Sequence, residues 1–344
     1  MNLKDFKEKF NSYFDSYLDR EIKRFDKKAI YPNLKKYFSH VKEYCRGGKR
    51  IRPYMVYLGY FSSGKKISPK VWDAMIAVEC FHIMALIHDD IIDKSKVRRG
   101  VDSVHYFIEK NQENKKDAYH YGVSQAILLG DLFLSMTHRI MFTNSFSTEV
   151  SEKLYELLQN VTLGQMLDVD LAYQENSSRN LISKKTKYKT ALYTFAEPLQ
   201  IGALLAKSPK VELDNFFILG ENLGIAYQLQ DDLIDCISSP DVSGKPCFGD
   251  MKERQQTLIT YFMFNKASKE EQKTFLSLYG KKLNKKEEEH LNYLLENSGA
   301  YKFIKKEIKK YISLSNDALE KFENKNKSKP YLQDVIKKLE VRTF

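Results

Sequence analysis

The chain has 344 residues, of which 42% are hydrophobic and 29% charged, and its formal net charge is +11. This composition is typical of a globular protein with a real core. No apolar run reaches the roughly 18–20 residues of a membrane span, and the charged start MNLKDFKEKF differs from a secretory signal. We therefore expect a cytoplasmic protein without a transmembrane segment. The four cysteines have neither zinc-site nor CxxC spacing and are expected to be reduced thiols.

The excess positive charge comes mainly from lysines in the stretches 265–273, 281–289 and 302–310. A basic chain can favour nucleic acid, an anionic membrane or a phosphorylated substrate. Lysines scattered in this way are typical of solvated helix faces, and no nucleic-acid-binding motif accompanies them. We expect no nucleic-acid partner.

Helical periodicity dominates the chain, and glycine and proline are scarce. In chain order it predicts helices over 3–27, 32–45, 50–61, 69–93, 119–142, 148–171, 188–206, 212–237, 256–264, 268–279, 285–294, 298–323 and 330–341. No shift in composition marks a domain boundary. The pattern predicts one all-α domain over residues 1–344.

The first predicted long helix that is mostly apolar, 69–93, ends in the sequence LIHDDIID, which contains Asp89, Asp90 and Asp93. Residues four apart share one helix face, so Asp89 and Asp93 point the same way and repel each other. Carboxylates at the C-terminal end of a helix are also disfavoured by the helix dipole. A single such cluster is more often a solvated helix end than a metal site.

A second cluster with the same spacing, Asp231, Asp232 and Asp235 in YQLQDDLID, ends the predicted helix 212–237. Two copies of a costly arrangement favour metal binding. Mg²⁺ prefers a few carboxylate oxygens together with water and substrate phosphate. The two clusters therefore predict a magnesium-bound diphosphate as substrate.

Basic groups suited to diphosphate occur near these clusters. GGKRIRP (47–53) places Gly47 and Gly48 before Lys49, Arg50 and Arg52, and a glycine turn that opens a helix can bind an anion. VRRG (97–100) supplies Arg98 and Arg99, and arginine binds phosphate through two parallel hydrogen bonds. Lys189 and Lys245 are candidates for a second diphosphate. His82 lies seven residues before Asp89 on the same face; a core histidine and a ligand-binding histidine are equally consistent with that position.

Taken together, these motifs resemble the trans-isoprenyl diphosphate synthase family, which includes farnesyl, geranylgeranyl and polyprenyl diphosphate synthases. The matching elements run in the family's order from about residue 47 to 258: GGKRIRP, LIHDDIID with RRG, GD (130–131), GQMLD (164–168), KT (189–190), QLQDDLID and GKP…GD (244–250). The resemblance implies an all-α helical bundle around a central active-site cavity, and a homodimer.

The resemblance also implies roles for individual residues. Isopentenyl diphosphate would be bound by Gly48, Lys49, Arg52, His82 and Arg99. The allylic diphosphate would be bound by Arg98, Lys189 and Lys245. Three Mg²⁺ ions would bind with the allylic diphosphate. Asp89, Asp93 and Asp231 would be the leading ligands, and Asp90, Asp232 and Asp235 would support them. Asp235 is counted among the metal-binding residues. Lys189, Thr190 and Gln228 would form the catalytic centre.

The implied reaction is a head-to-tail condensation. Cationic groups neutralise the leaving diphosphate, the allylic C–O bond ionises, and the double bond of isopentenyl diphosphate attacks the allylic cation. The growing chain would run along the first aspartate helix past Ala85, Met84 and Phe81. No large aromatic ring lies four or five residues before Asp89, so we expect a product near C20 or longer.

Two positions depart from the family pattern. Gln255 in ERQQT occupies the place of a lysine, for which Lys252 or Arg254 could substitute, and Asp102 replaces a proline. A weakly active partner subunit of a heteromeric synthase therefore remains an alternative. A terpene cyclase is a second alternative, although the second DDxxD cluster and GGKRIRP argue against it.

Overall fold

The computed structural model describes residues 1–28, 30–113, 116–237 and 247–341. In chain order, its helices and strands are Leu3–Asp26, Leu34–Arg46, Ile51–Phe61, Pro69–Ile92, strands Val97–Arg98 and Val101–Asp102, Val104–Lys110, Ala118–Thr143, Thr148–Ala172, Arg179–Lys185, the π-helix Thr186–Ala196, Glu197–Leu205, Lys210–Ile237, Gly249–Lys252, Leu258–Asn265, Lys269–Leu278, Lys285–Asn297, Ala300–Glu320 and Lys329–Glu340. The predicted all-α class is confirmed. The described residues form two compact units, and the single domain stays a prediction.

The first unit comprises Met1–Tyr57 and Lys66–Ser151. Its N-terminal helix begins at Asn2, whose side chain accepts a hydrogen bond from the backbone N–H of Asp5. Phe6, Phe10 and Phe14 follow at four-residue intervals and are fully buried. They form a stack of aromatic rings on one helix face, so that this helix packs against the unit's core.

The first aspartate helix, Pro69–Ile92, packs mainly against the helix Ala118–Thr143 of this unit. Its start is favoured by Pro69 in the first helical position. Near its end, His88 lies against Gly130 of the helix Ala118–Thr143, and its Nε2 contacts the carbonyl oxygen of Ile127 at 3.2 Å. A Cβ at residue 130 would collide with that imidazole ring. The GD motif therefore allows close packing beside the aspartates.

Two short antiparallel strands, Val97–Arg98 and Val101–Asp102, follow this helix. The two turn residues between them are Arg99 and Gly100, with φ of 54° and 78°. Positive φ at both central residues is the geometry that matches the twist of a two-residue hairpin. The hairpin was not predicted from the sequence, because arginine at the first of these positions gives no turn signal.

Asp102, the departure after the RRG motif, has an identifiable place at the end of this hairpin. Its carboxylate accepts a hydrogen bond from Lys110 Nζ at 3.0 Å, and its backbone oxygen contacts His40 Nε2 at 2.8 Å. The His40 ring stacks on Phe107, with centroids 3.7 Å apart. These contacts connect the hairpin to the helix Val104–Lys110, in a region expected to be loop.

The second unit comprises Leu58–Lys65 and Glu152–Phe344. Its second aspartate helix, Lys210–Ile237, packs closely against the π-helix Thr186–Ala196. Gly220 and Gly224 make this approach possible, since a Cβ at either would collide with the π-helix at Ala196 or Ala191. Because the helical repeat brings every fourth residue to one face, Gln228 and Asp232 continue this line toward the end of the helix.

One described helix, Ala118–Thr143, is long and apolar enough to cross a membrane by length and composition alone. Cys45, Cys80 and Cys236 are buried and Cys247 is half-buried, and all four are free thiols, as predicted. Burial raises the pKa of Cys45 to about 12, which keeps this thiol protonated.

Candidate active site

The first unit brings GGKRIRP, His82 and RRG together. Arg52 Nη1 contacts His82 Nε2 at 3.1 Å. Burial, followed by the nearby arginines, holds the pKa of His82 well below its ordinary value, so the ring is neutral and Nε2 can accept from Arg52. Next to them, Arg99 packs over Gly47 and Gly48, where a Cβ would lie 3.1 and 3.3 Å from its side chain.

Arg50 belongs to the same motif but has a different environment. It is 7% exposed, forms an ion pair with buried Glu79 and donates from Nε to Asn11 at 2.9 Å. Its φ of 54° turns the chain before the helix Ile51–Phe61. Arg50 therefore anchors the motif to the core.

In the first aspartate cluster, the middle residue differs from the outer two. Asp90 is fully buried and accepts from Tyr44 Oη at 2.6 Å and from Arg98 Nε at 2.7 Å. Asp89 and Asp93 are partly exposed, and Arg98 also reaches Asp89 at 3.2 Å. Asp90 therefore positions Arg98 beside the cluster, while Asp89 and Asp93 form its outward carboxylate face, as the four-residue spacing predicts.

The second aspartate cluster repeats this division in the second unit. Asp232 is buried, whereas Asp231 and Asp235 are partly exposed. Gln228 Nε2 donates to Asp232 at 2.7 Å, and Thr190 Oγ1 donates to Gln228 Oε1 at 2.7 Å. The structure thus brings Thr190 and Gln228 together, through a hydrogen-bond chain that ends at the middle aspartate.

Asp235 accepts two backbone hydrogen bonds from the start of the helix Gly249–Lys252. The donors are the N–H groups of Gly249 at 3.2 Å and Asp250 at 3.0 Å. Burial, followed by the carboxylate of Asp250, raises the pKa of Asp232 to about 7. Several carboxylates are therefore close enough to repel one another here, an arrangement that a divalent cation would stabilise.

Lys189 contacts a carboxylate that the motifs did not assign a role. Asp168, the last residue of GQMLD, is 3% exposed and accepts a hydrogen bond from Lys189. Lys185 Nζ lies 3.0 Å from the other carboxylate oxygen of Asp168. Burial raises the pKa of Asp168, but Lys185 and then Lys189 outweigh burial and lower it, so the carboxylate is ionised.

The predicted chain-length positions lie on the first aspartate helix. Phe81 is 2% exposed, Met84 is 9% exposed, and Ala85 is partly exposed. Lys245, predicted to bind the allylic diphosphate, lies outside the described residues. Among the described residues, no group of three or more His, Cys, Asp or Glu side chains has the geometry of a preformed metal site.

Sequence reasoning missed three residues of these sites: Tyr44, Asp168 and Lys185. Tyr44 lies in an amphipathic helix three residues before GGKRIRP, and no sequence signal distinguishes it from a core tyrosine. Asp168 lies within a matching motif, so a role could have been assigned to it. Lys185 precedes Lys189 by four residues, and helical spacing could have placed both on one face.

The two substitutes considered for the missing lysine at position 255 are both engaged elsewhere. Lys252 donates to the carbonyl oxygen of Cys247 and to Glu288, each at 2.7 Å. Arg254 has a φ of 60° and lies over the Tyr279 ring, with its guanidinium carbon 5.8 Å from the ring centroid. Neither contact directs these cations to the second aspartate cluster.

Comparison with known proteins agrees with these motifs. The family model for polyprenyl synthetase matches residues 34–297. The chain is 28% identical to geranylgeranyl diphosphate synthase of Sulfolobus acidocaldarius, over 80% of this chain and 82% of the relative. It is 30% identical to a short chain isoprenyl diphosphate synthase of Methanocaldococcus jannaschii, over 71% of this chain and 70% of the relative.

The structural comparison gives the same assignment. A crystal structure of geranylgeranyl pyrophosphate synthase from Corynebacterium glutamicum, complexed with isoprenyl diphosphate and magnesium, superimposes with a TM-score of 0.90 at 27% identity. The match covers 100% of both chains. The chain belongs to the polyprenyl synthetase family of trans-prenyltransferases.

Proposed function

We propose that this protein condenses isopentenyl diphosphate with an allylic diphosphate, releases diphosphate, and makes a trans-polyprenyl diphosphate of C20 or longer. Family membership supports the reaction class, and the geranylgeranyl synthases among its relatives support the length. The observation that carries the proposal is the contact of Arg98 with Asp89 and Asp90, because it joins an acidic cluster to a phosphate-binding arginine motif.

The residues present fit Mg²⁺. In both clusters the middle aspartate is buried and hydrogen-bonded, and the flanking aspartates present oxygen atoms outward, the ligands that Mg²⁺ prefers. We assign Asp89, Asp93 and Asp231 as its leading ligands, with Asp235 as a further ligand that also holds the backbone at Gly249. Bound Mg²⁺ would neutralise charge on the leaving diphosphate. The number of three ions rests on the resemblance.

We assign isopentenyl diphosphate to the basic group of the first unit. Gly48 has no side chain and so lets Arg99 pack over the turn, and Lys49, Arg52 and Arg99 supply positive charge. Neutral His82 accepts a hydrogen bond from Arg52 and so orients its guanidinium group for the anion. This group binds and orients the substrate; its work is positioning and charge neutralisation rather than proton transfer.

We assign the allylic diphosphate to Arg98, Lys189 and Lys245. At the reacting carbon, the catalytic group is Lys189 with the Thr190 hydroxyl and the Gln228 amide. The hydrogen bond from Thr190 to Gln228 fixes both dipoles before reaction, so they can stabilise the allylic cation without reorganising. No general base from the protein is required, because the released diphosphate can accept the proton.

The decisive experiment uses purified protein with MgCl₂, isopentenyl diphosphate and, in separate reactions, C5, C10 and C15 allylic primers. The dephosphorylated products are sized by mass spectrometry. We expect C20 or longer products, abolished by EDTA and restored by added Mg²⁺. The absence of product with every primer would contradict an active homomer and support the partner subunit that Gln255 suggests. A cyclic hydrocarbon from an allylic diphosphate alone would indicate a cyclase.

A homodimer and a cytoplasmic location remain part of the proposal. The dimer is supported by side chains that are apolar yet exposed on the helix Ala118–Thr143, among them Ile127 and Leu128 at 42% and 58% exposure. Such residues in neighbouring helical positions mark a surface for protein contact. We expect no nucleic-acid partner.

A further inference from the structure

Lys185 is a buried cation for which the motifs provide no role. It is 8% exposed and ends the helix Arg179–Lys185, one turn before Lys189. Its Nζ donates to the backbone carbonyl oxygen of Gln256 at 2.7 Å and lies 3.0 Å from Asp168 Oδ1. Lys189 holds the other oxygen of the same carboxylate. Two lysines therefore share one buried aspartate.

Asp168 has two cationic partners of unequal exposure. Lys185 alone would neutralise this carboxylate, and burying its ammonium ion is costly unless it is compensated in this way. Lys189, with 28% of its side chain exposed, is the accessible member of the group.

The surroundings of Lys185 connect it to the second aspartate cluster. The N–H of Gln255 donates to the carbonyl oxygen of Asp250 at 2.7 Å, and the N–H of Asp250 donates to Asp235 at 3.0 Å. Lys185 contacts the carbonyl oxygen of Gln256. Gln256 is the residue after Gln255, the position at which the resemblance implies a lysine. Lys185 thus brings an ammonium ion to the backbone beside the position that lacks one.

We propose that Lys185 is a positioning residue for the allylic diphosphate: it neutralises Asp168, so that the charge of Lys189 stays available to the substrate. It acts through Asp168 and Lys189 and does not touch the reacting carbon. The proposal rests on the role proposed above for Lys189. Its consequence is a selective effect on the allylic substrate, since isopentenyl diphosphate is assigned to the other basic group.

The test compares Lys185→Gln with Lys185→Arg and with Lys184→Gln. Lys184 is the exposed neighbour on the same helix, so its substitution removes the same charge outside the buried group. In steady-state assays we expect Lys185→Gln to raise KM for the allylic diphosphate about tenfold, the size expected for one lost charge contact. KM for isopentenyl diphosphate should change less than about twofold, and Lys185→Arg and Lys184→Gln should resemble the parent.

A double-mutant cycle tests the route through Asp168. We compare the factor by which Lys185→Gln raises the allylic KM in two backgrounds. In the Asp168→Asn background this factor should be at least about threefold smaller than in the parent, because there is no carboxylate left to neutralise. The double variant also removes both buried charges together, so it remains measurable if Lys185→Gln alone does not fold. In that case a double variant whose allylic KM stays more than about threefold above that of Asp168→Asn overturns the proposal.

Other results are equally clear. Equal increases in both KM values would show that Lys185 only maintains structure, and would overturn the proposal. An unchanged allylic KM in a folded Lys185→Gln protein would do the same. If the parent protein makes no product with any primer, the proposed function fails first, and that result is distinct because it does not depend on Lys185.

Discussion

At the residue scale, each DDxxD cluster assigns different tasks to identical side chains. The outer aspartates are partly exposed, whereas Asp90 and Asp232 are buried. Asp90 accepts hydrogen bonds from Tyr44 and Arg98, and Asp232 accepts one from Gln228. Four-residue spacing predicted the shared outward face. It could not predict the partners of Asp90, because Tyr44 belongs to another helix and Arg98 to the hairpin, and both contacts depend on tertiary packing. Gln228 lies four residues before Asp232 on the same helix, so the same spacing does place this pair together.

The small side chain of Ala85 leads to a prediction about product length. Ala85 is partly exposed one turn before Asp89, about 6 Å along the helix. Replacing Ala85 with Phe should block chain growth there and shift the main product to C15 or shorter. Mass spectrometry of the dephosphorylated products measures this. Leu86→Phe, which adds a ring about 100° round the helix, is the control. If Ala85→Phe leaves the product distribution unchanged, Ala85 does not line the path of the chain.

Glu197 is a buried acid outside the proposed catalytic groups. It is 1% exposed, and its Oε1 accepts from Asn160 Nδ2 at 2.6 Å. Burial, opposed in part by Asn160, raises the pKa of Glu197 from 4.5 to about 7. The folded protein therefore binds a proton more tightly than the unfolded chain does.

This pKa shift predicts how stability depends on pH. The contribution of protonated Glu197 is complete below about pH 4.5 and is lost as the pH rises through 7. At pH 8, Glu197→Gln should raise the free energy of unfolding by roughly 2–3 kcal/mol, with little difference at pH 5. Urea unfolding at both pH values measures this, with Glu152→Gln, an exposed acid, as control. A difference that does not vary with pH would contradict the shift.

At the element scale, the sequence predicted most helices but not the local geometry of the site. The pattern over 188–206 predicted one ordinary helix, whereas the structure has a π-helix over Thr186–Ala196 that continues into Glu197–Leu205. Side-chain periodicity cannot reveal this, since the wider turn is stabilised by packing against Gly220 and Gly224. π-helical turns are frequent at functional sites, and this one carries Lys189 and Thr190.

Gly224 therefore provides a test of this packing. An exposed glycine in a helix gains up to about 1 kcal/mol when it is replaced by alanine. Here a new Cβ would collide with Ala191, so Gly224→Ala should destabilise the protein by roughly 1–3 kcal/mol. The Thr190–Gln228 contact should shift as well, lowering kcat. Denaturant unfolding and steady-state kinetics measure the two effects, and Asn222→Ala on the same helix is the control. An increase in stability would show that the two helices are not in close contact at this point.

At the scale of the whole molecule, the helix Ala118–Thr143 has to be explained. Its length and hydropathy fit a membrane span. Of its apolar window 44% is buried within the protein, so the rest of this window is not covered by the chain itself. Its exposed positions include Ile127, Leu128 and Phe142, and also Asp131 and Arg139. At 100° per residue these five fall within an arc of about 120°. Charges on that arc are unfavourable in lipid and acceptable at a protein interface, so we expect a second copy of the chain to cover it.

This interpretation predicts the mass and its response to mutation. One chain has a mass of 40.3 kDa, so light scattering after gel filtration should give about 81 kDa for a dimer. Leu128→Glu places a charge at the centre of the exposed apolar pair and should shift the mass to that of a monomer, because a buried unpaired charge is strongly unfavourable. Tyr293→Glu, at a side chain that is 68% exposed on another helix, should leave the dimer intact. A monomeric parent protein would leave this arc without a partner, and a Leu128→Glu variant that remains dimeric would place the interface on a different surface.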